Sequence, residues 1–231
     1  MNAAQLIVAL DVSSSAGAKK IVTSLGDAVR LYKVGMQLYT AEGPAIVREL
    51  VSSGKNVFLD LKYHDIPNTV AAAVREAGKL GVSMLTVHAA GGPKMLKAAA
   101  GAAKEYPSSN LAILAVTVLT SMDAEQLEET GVSGQLLDQV VRLGSLAIQA
   151  GCAGVVSSAH EVKALRAKIG NEFLAVTPGV RPAGSPRGDQ ARVVTPAEAI
   201  AAGATHIVVG RPITAAPNPV AEAEKILKAI A

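Results

Sequence analysis

Aromatic side chains are scarce in this chain of 231 residues: tryptophan is absent, and two phenylalanines with four tyrosines make up 3% of the sequence. A core must then be packed from valine, isoleucine, leucine and alanine. That suits parallel strands covered by helices better than an aromatic-rich β-sandwich. Cys152 is the single cysteine, which excludes an internal disulfide and a multi-cysteine zinc site. Between Gly151 and Ala153, at an expected helix–strand junction, it reads as a buried, inert thiol. Long apolar runs are missing too. The run Leu6–Leu10 is too short for a signal or a span and no basic segment precedes it, so a soluble, cytoplasmic protein without a membrane partner is expected. Lysine plus arginine number 22 against 19 acidic residues, a formal net charge of +3. So mild an excess, with no stripe of aromatic and basic residues, does not point to nucleic acid and fits a small anionic ligand equally well.

What the chain does contain is a regular alternation. Short runs rich in β-branched residues predict strands at Leu6–Asp11, Leu31–Gly35, Asn56–Lys62, Met84–Ala89, Leu111–Thr120, Gly154–Ser158, Phe173–Val180 and His206–Arg211. Ala-rich stretches with helical spacing lie between them, such as Thr69–Leu80 and Gln135–Ala150. Gly54, Gly81, Gly151 and Gly203 each follow a helical stretch and precede an apolar strand, where glycine accepts the left-handed conformation that ends a helix. Eight strands alternating with helices over residues 1–231 predict an α/β fold, a single (β/α)8 TIM barrel domain. A doubly wound open sheet competes, but the first strand–helix turn, Asp11-Val12-Ser13-Ser14-Ser15, lacks the Gly-rich dinucleotide fingerprint.

The segment Asp60-Leu61-Lys62-Tyr63-His64-Asp65 closes the apolar run Val57-Phe58-Leu59 with three acidic or lysine side chains. Burying such ions without partners costs several kcal/mol or more, so they are expected at a site or in an ion pair. Asp60 and Lys62 are two residues apart and project from one face of an extended chain. Asp11, Lys33, Asp60, Lys62, His88, Thr120, Arg181 and Arg211 all fall at or just past expected strand C-termini, the barrel face that carries active sites. Asp11, Lys33, Asp60, Lys62 and Asp65 form a set of alternating sign, in which an aimed Lys62 ammonium would serve as an acid. Pro178-Gly179-Val180-Arg181-Pro182 and Val209-Gly210-Arg211-Pro212 end the last two strands, the usual place of a phosphate cradle. There Gly179 and Gly210 would admit backbone N–H groups and arginine would grip oxygens bidentately. The polar loop Ala183–Arg192 has the composition of a flap, with Gln190 placed to close over the anion.

The motif Asp60-x-Lys62-x-x-Asp65, with Leu10-Asp11-Val12, Tyr32-Lys33-Val34-Gly35 and Val209-Gly210-Arg211-Pro212, resembles the orotidine 5′-phosphate decarboxylase family from Leu6 to about Ile213. The resemblance implies a cofactor-independent, homodimeric barrel that acts on a small nucleotide and has sites at the subunit interface. It implies that Lys62 donates the proton and that Lys33 and Asp60 are its partners. It places Asp65, Ile66 and Thr69 at the neighbouring subunit's site, Asp11 on the ribose and Thr120 on the pyrimidine edge. Arg181, Gln190, Gly210 and Arg211 fall at the phosphate end. No metal is implied.

Other residues are expected to be quieter. His64 suits orientation or packing, His88 either a pocket floor or a core, and His160 and His206 structural positions. Met36 and Met95 suit a core or a helix start. Two rival functions share the barrel. Metal-dependent sugar-phosphate relatives carry the same Asp-x-Lys-x-x-Asp motif but a carboxylate at the second strand, where this chain has Lys33, whose charge would repel a divalent cation. A non-catalytic phosphate-binding barrel would explain Arg181 and Arg211 but not the Lys33–Asp60–Lys62 set.

Overall fold

Our computed structural model describes residues 5–107, 110–182 and 193–231. Eight strands, β1 (Gln5–Ala9), β2 (Leu31–Gly35), β3 (Asn56–Tyr63), β4 (Met84–His88), β5 (Ala112–Val116), β6 (Gly154–Val156), β7 (Leu174–Thr177) and β8 (His206–Val209), pair in sequence order. All pairings are parallel, and β1 pairs with both β2 and β8, which closes the barrel. Helices α1 (Ser15–Leu25), α2 (Met36–Glu42), α3 (Pro44–Ser52), α4 (Pro67–Lys79), α5 (Gly92–Ala103), α6 (Ala124–Glu129), α7 (Leu136–Gln149), α8 (Ala159–Ile169) and α9 (Pro196–Ala201) lie between the strands. After β8 come α10 (Arg211–Thr214) and α11 (Pro219–Ile230).

Local chemistry sets the helix ends. Ser14 caps α1 by accepting from the Gly17 N–H, and Thr195 and Glu198 form a reciprocal capping box at α9, which satisfies otherwise orphaned N–H groups. Proline stands in the first turn of α3, α4, α5, α9 and α11, where its missing N–H costs nothing. Gly54, Gly81, Gly151 and Gly203 have φ of 76°, 76°, 92° and 102°, as expected of left-handed residues that turn the chain from helix back to strand.

Strand periodicity of two divides the core. Ile7, Leu31, Phe58, Met84, Leu114, Val176 and Val208 pack inside the barrel. Their chain neighbours, such as Val8, Tyr32, Val57, Leu59, Leu85 and Ala175, join the layer between sheet and helices. Two residues further along β2, β3 and β4 the same inner face carries Lys33, Asp60 and Thr86, so the barrel filling turns from apolar to polar within one layer.

Six strands, all but β2 and β3, are shorter than expected. β5 ends at Val116 rather than Thr120, β7 at Thr177 rather than Val180, and β8 at Val209 rather than Arg211. Pro178 has no N–H to extend the ladder, and Pro212 opens α10 in its first turn. Thr120 and Arg181 therefore stand on the loops above the strands, and Arg211 is the first residue of α10. Cys152 is buried, with its thiol pushed up to about 12 by burial, so it is inert. Met95 is fully buried, whereas Met36 opens α2 and is exposed. Among the described residues no helix is long and apolar enough to cross a membrane.

Burial lowers the pKa of His206, the first residue of β8, from 6.5 to about 4. A histidine held neutral in the fold takes up protons more readily once unfolded, so its contribution is present above its unfolded pKa and fades as pH falls below it. Going from about pH 7 to about pH 5, this side chain alone should remove about 2 kcal/mol of unfolding free energy. Urea titrations at both pH values are expected to show that loss in the wild type and a shallower pH dependence in His206→Asn. Equal loss in both proteins would assign it elsewhere.

Candidate active site

A cavity of about 540 Å³ opens at the C-terminal ends of the strands. Its floor is the top of the inner core: Ala9, Phe58, Val116, Val156 and Val208. Above that floor the wall is polar, and its charges come in two groups.

The first group spans β1 to β3. Lys33 Nζ lies 2.9 Å from Asp11 Oδ1 and 3.8 Å from Asp60 Oδ2, and Lys62 Nζ lies 2.9 Å from Asp60 Oδ1. The order Asp11, Lys33, Asp60, Lys62 alternates in sign along one wall. The inner three are largely screened from water, with side-chain exposures of 13%, 15% and 23% against 56% for Asp11. In so sheltered a place, loss of one partner leaves an uncompensated charge, at a cost of about 3–5 kcal/mol. Gly35 makes the arrangement possible, since a Cβ there would stand 2.8 Å from Lys33 Nζ. Its register partner on β3 is Asp60.

Lys62 reaches this wall through an irregular backbone. Leu59 pairs with Leu85 and Tyr63 with Val87, so β3 advances four residues while β4 advances two. The excess is taken up as a bulge, and Lys62 adopts φ 54°, one of two non-glycine residues with positive φ among those described. Its backbone N–H donates to Thr86 Oγ1 at 2.9 Å, and the Thr86 hydroxyl donates to Asp60 Oδ1, also at 2.9 Å.

The second group comes chiefly from the chain that follows β7 and β8. Arg181 and Arg211 both line the cavity, with Pro178, Gly179, Thr120 and Gly210. Gly179 has φ 75°, a conformation that favours glycine. Burial first, and then the nearby Arg211, lower the pKa of Arg181. Two guanidinium groups close enough to repel describe a place where an anion is favoured. Val180 and Val194 form a bridge, and the Arg181 N–H donates to the Val194 carbonyl, which anchors the chain on either side of the cavity rim.

Eight of the expected residues thus converge on one cavity: Asp11, Lys33, Asp60, Lys62, Thr120, Arg181, Gly210 and Arg211. Asp65, Ile66 and Thr69 do not line it. They sit exposed just beyond β3, with Asp65 Oδ1 accepting from the Ile66 N–H at 2.6 Å. Gln190 lies outside the described residues. His88 does not line the cavity floor either. Its ring stands 5.5 Å from that of His64, and burial, then His64 and Lys62, lower its pKa against a smaller opposing effect of Asp60. A neutral His88 adds no charge beside Lys62. Sequence reasoning missed Gln37, which lines the wall just after β2, and Thr86. Thr86 was within reach of the alternation in Met84-Leu85-Thr86-Val87-His88, which turns every second residue inward.

The whole chain has close relatives. The orotidine 5′-phosphate decarboxylase of Moorella thermoacetica is 53% identical over 227 residues, covering 96% of this chain and 90% of that protein. The enzyme of the same name from Anaeromyxobacter sp. is 52% identical over 222 residues, covering 96% of each. The crystal structure of orotidine 5′-phosphate decarboxylase from Lactobacillus acidophilus superimposes with a TM-score of 0.88 at 40% identity, covering 98% of this chain and 99% of that one. Residues 4–226 match the family described as orotidine 5′-phosphate decarboxylase / HUMPS. With that match reaching from β1 into α11 and relatives above 50% identity over 96% of its length, the chain belongs to the orotidine 5′-phosphate decarboxylase / HUMPS family.

Proposed function

We propose that this protein decarboxylates orotidine 5′-phosphate to UMP and CO2, a step in pyrimidine nucleotide synthesis, with Lys62 as the proton donor. The observation that carries this reading is the placement of the Lys62 ammonium, 2.9 Å from Asp60, in the same cavity as Arg181 and Arg211. The substrate has the matching polarity, with an orotate ring at one end and a phosphate at the other.

When the C6–carboxylate bond breaks, its electron pair remains on C6 as a vinylic carbanion with no carbonyl placed to delocalise it simply. The Lys62 ammonium offsets this charge as it develops and then transfers a proton to C6, and the resulting amine is reprotonated from water. A unit charge at about 4 Å in a partly screened site is worth about 4 kcal/mol, roughly a thousandfold in rate. That is short of what a full catalytic effect demands, so binding at the remote phosphate must contribute as well. Lys33 and Asp60 hold Lys62 in line. Asp11 takes the ribose, Thr120 the pyrimidine edge, and Arg181, Gln190, Gly210 and Arg211 the phosphate.

Two copies of the chain would complete each site, with Asp65, Ile66 and Thr69 reaching the partner's cavity. Support comes from exposed apolar surface: Ile66 is 67% exposed, and Met36 and Leu119, one just past β2 and the other on the cavity wall, are 52% and 38% exposed. The protein is proposed to work in the cytoplasm without a cofactor. The metal-dependent alternative is disfavoured because the Lys33 ammonium stands within 3.8 Å of both Asp11 and Asp60, where a divalent cation would have to displace it.

Incubation with orotidine 5′-phosphate in excess chelator should deplete the ultraviolet absorbance of the orotate ring at the rate seen without chelator. Lys62→Ala should abolish that turnover while UMP binding stays measurable by calorimetry. Wild-type turnover in this variant would refute the assigned role. Arg211→Ala should act chiefly on KM, because the contact it removes is made in ground state and transition state alike. A drop confined to kcat would place Arg211 at the reacting ring instead. Mixing Asp65→Ala with Lys62→Ala subunits should restore part of the activity, since one of the two sites in a mixed dimer then holds both residues. No recovery from verified mixed dimers would place Asp65 in its own subunit's site.

A further inference from the structure

Thr86 belongs to neither charged wall, and the motif does not contain it. It is fully buried in β4, on the inner face shared with Met84 and His88. Its single hydroxyl makes two contacts of fixed direction. A backbone N–H can only donate and a carboxylate can only accept, so Oγ1 must take the Lys62 N–H and give its own hydrogen to Asp60. Both contacts are 2.9 Å, and both partners belong to the same bulge. The bulge displaces the Lys62 N–H from the β3–β4 ladder, and φ 54° is an unfavoured conformation for a lysine.

We propose that Thr86 is a positioning residue that locks this bulge, joining the backbone of Lys62 to the carboxylate that orients its ammonium. The inference rests on the decarboxylase reading for its kinetic consequence, while the clamp itself is a property of the fold. Asp60 Oδ1 receives the Thr86 hydroxyl and Lys62 Nζ together, so one threonine sets both ends of the lysine side chain. Without the hydroxyl, the Lys62 N–H loses its acceptor and the carboxylate loses one of the contacts that fix its rotation. The ammonium then samples positions off the line to C6.

Thr86→Val keeps the shape and removes the hydroxyl, and Thr86→Ser keeps the hydroxyl and removes a methyl. Thr86→Val is expected to lower kcat for orotidine 5′-phosphate about 10- to 100-fold, the size of loss seen when the support of a reacting group is removed. Its KM should move by less than about threefold, because the phosphate and ribose contacts are untouched. Thr86→Ser should recover kcat to within about fivefold of the wild type, since it restores both hydrogen bonds. If Thr86→Val does not fold, Thr86→Cys takes its place, because a thiol is a poor donor and acceptor. A hydroxyl-free or thiol variant with wild-type kcat, or a Thr86→Ser as impaired as either, overturns the proposal. Hydrogen exchange at the Lys62 amide tests the clamp without turnover: the amide should be protected in the wild type and in Thr86→Ser, and should exchange faster in Thr86→Val or Thr86→Cys. Unchanged exchange overturns the clamp. A wild type that leaves orotidine 5′-phosphate intact would refute the activity instead, and the exchange measurement would still decide the clamp.

Discussion

The left-handed backbone at Lys62 is the constraint on which the site depends. A regular β3 would carry the lysine on up the wall, in register with β4, with its N–H in the ladder. The bulge between Leu59 and Tyr63 instead turns the chain so that Lys62 Nζ folds back onto Asp60, two residues earlier. A conformation disfavoured by about 1–2 kcal/mol persists only where the surroundings over-determine it. Here they are the Thr86 hydroxyl, the Asp60 carboxylate and, on β2, the glycine that leaves room for Lys33.

The charges around that bulge balance locally. Two carboxylates and two ammonium groups along the β1–β3 wall sum to zero, so the wall can be sheltered without holding net charge in a low dielectric. The β7–β8 side is different in kind. It presents Arg181 and Arg211 to the same cavity, and the mutual repulsion of two guanidinium groups is relieved when an anion enters. One wall is therefore neutral in sum, and the other gathers positive charge that suits an anionic ligand. That asymmetry fits a phosphorylated substrate that is anchored at one end and transformed at the other.

Much of this was legible in the sequence, for identifiable reasons. The eight short runs of β-branched residues alternating with helical stretches, and the glycines at Gly54, Gly81, Gly151 and Gly203, marked the barrel, because both follow from local backbone and side-chain sterics. The clustering of Asp60 and Lys62 behind an apolar run marked the wall, because such charge has few other places to go. Strand ends were less legible. A run such as Leu111–Thr120 stays apolar past Val116, since the loop above the strand also packs on the core, and composition does not separate the two. The bulge at Lys62 was not legible at all. It depends on pairing with β4, 24 residues away along the chain at Thr86, and nothing local to Asp60–Tyr63 forces a lysine into a left-handed turn.

The division of labour around the barrel follows from the same mechanics. Lys33 and Asp60 lie within β2 and β3 and Lys62 on the bulge that ends β3, where hydrogen-bonded neighbours on both sides limit their motion. Arg181 stands on the loop beyond β7 and Arg211 at the start of α10, beyond β8, so both lie outside the strand ladder. Proton transfer to a ring carbon is sensitive to displacements of an ångström or less, and phosphate recognition by bidentate cations tolerates more. A barrel that put the proposed proton donor on a loop and the proposed anion site on a strand would have the same residues in the same cavity. It would lose the alignment that the donor requires and gain a rigidity that the anion site does not need. The bulge at Lys62 would meet both demands in the proposed reaction, since it lifts the lysine out of the ladder and into the cavity yet keeps it tied to β4 through Thr86.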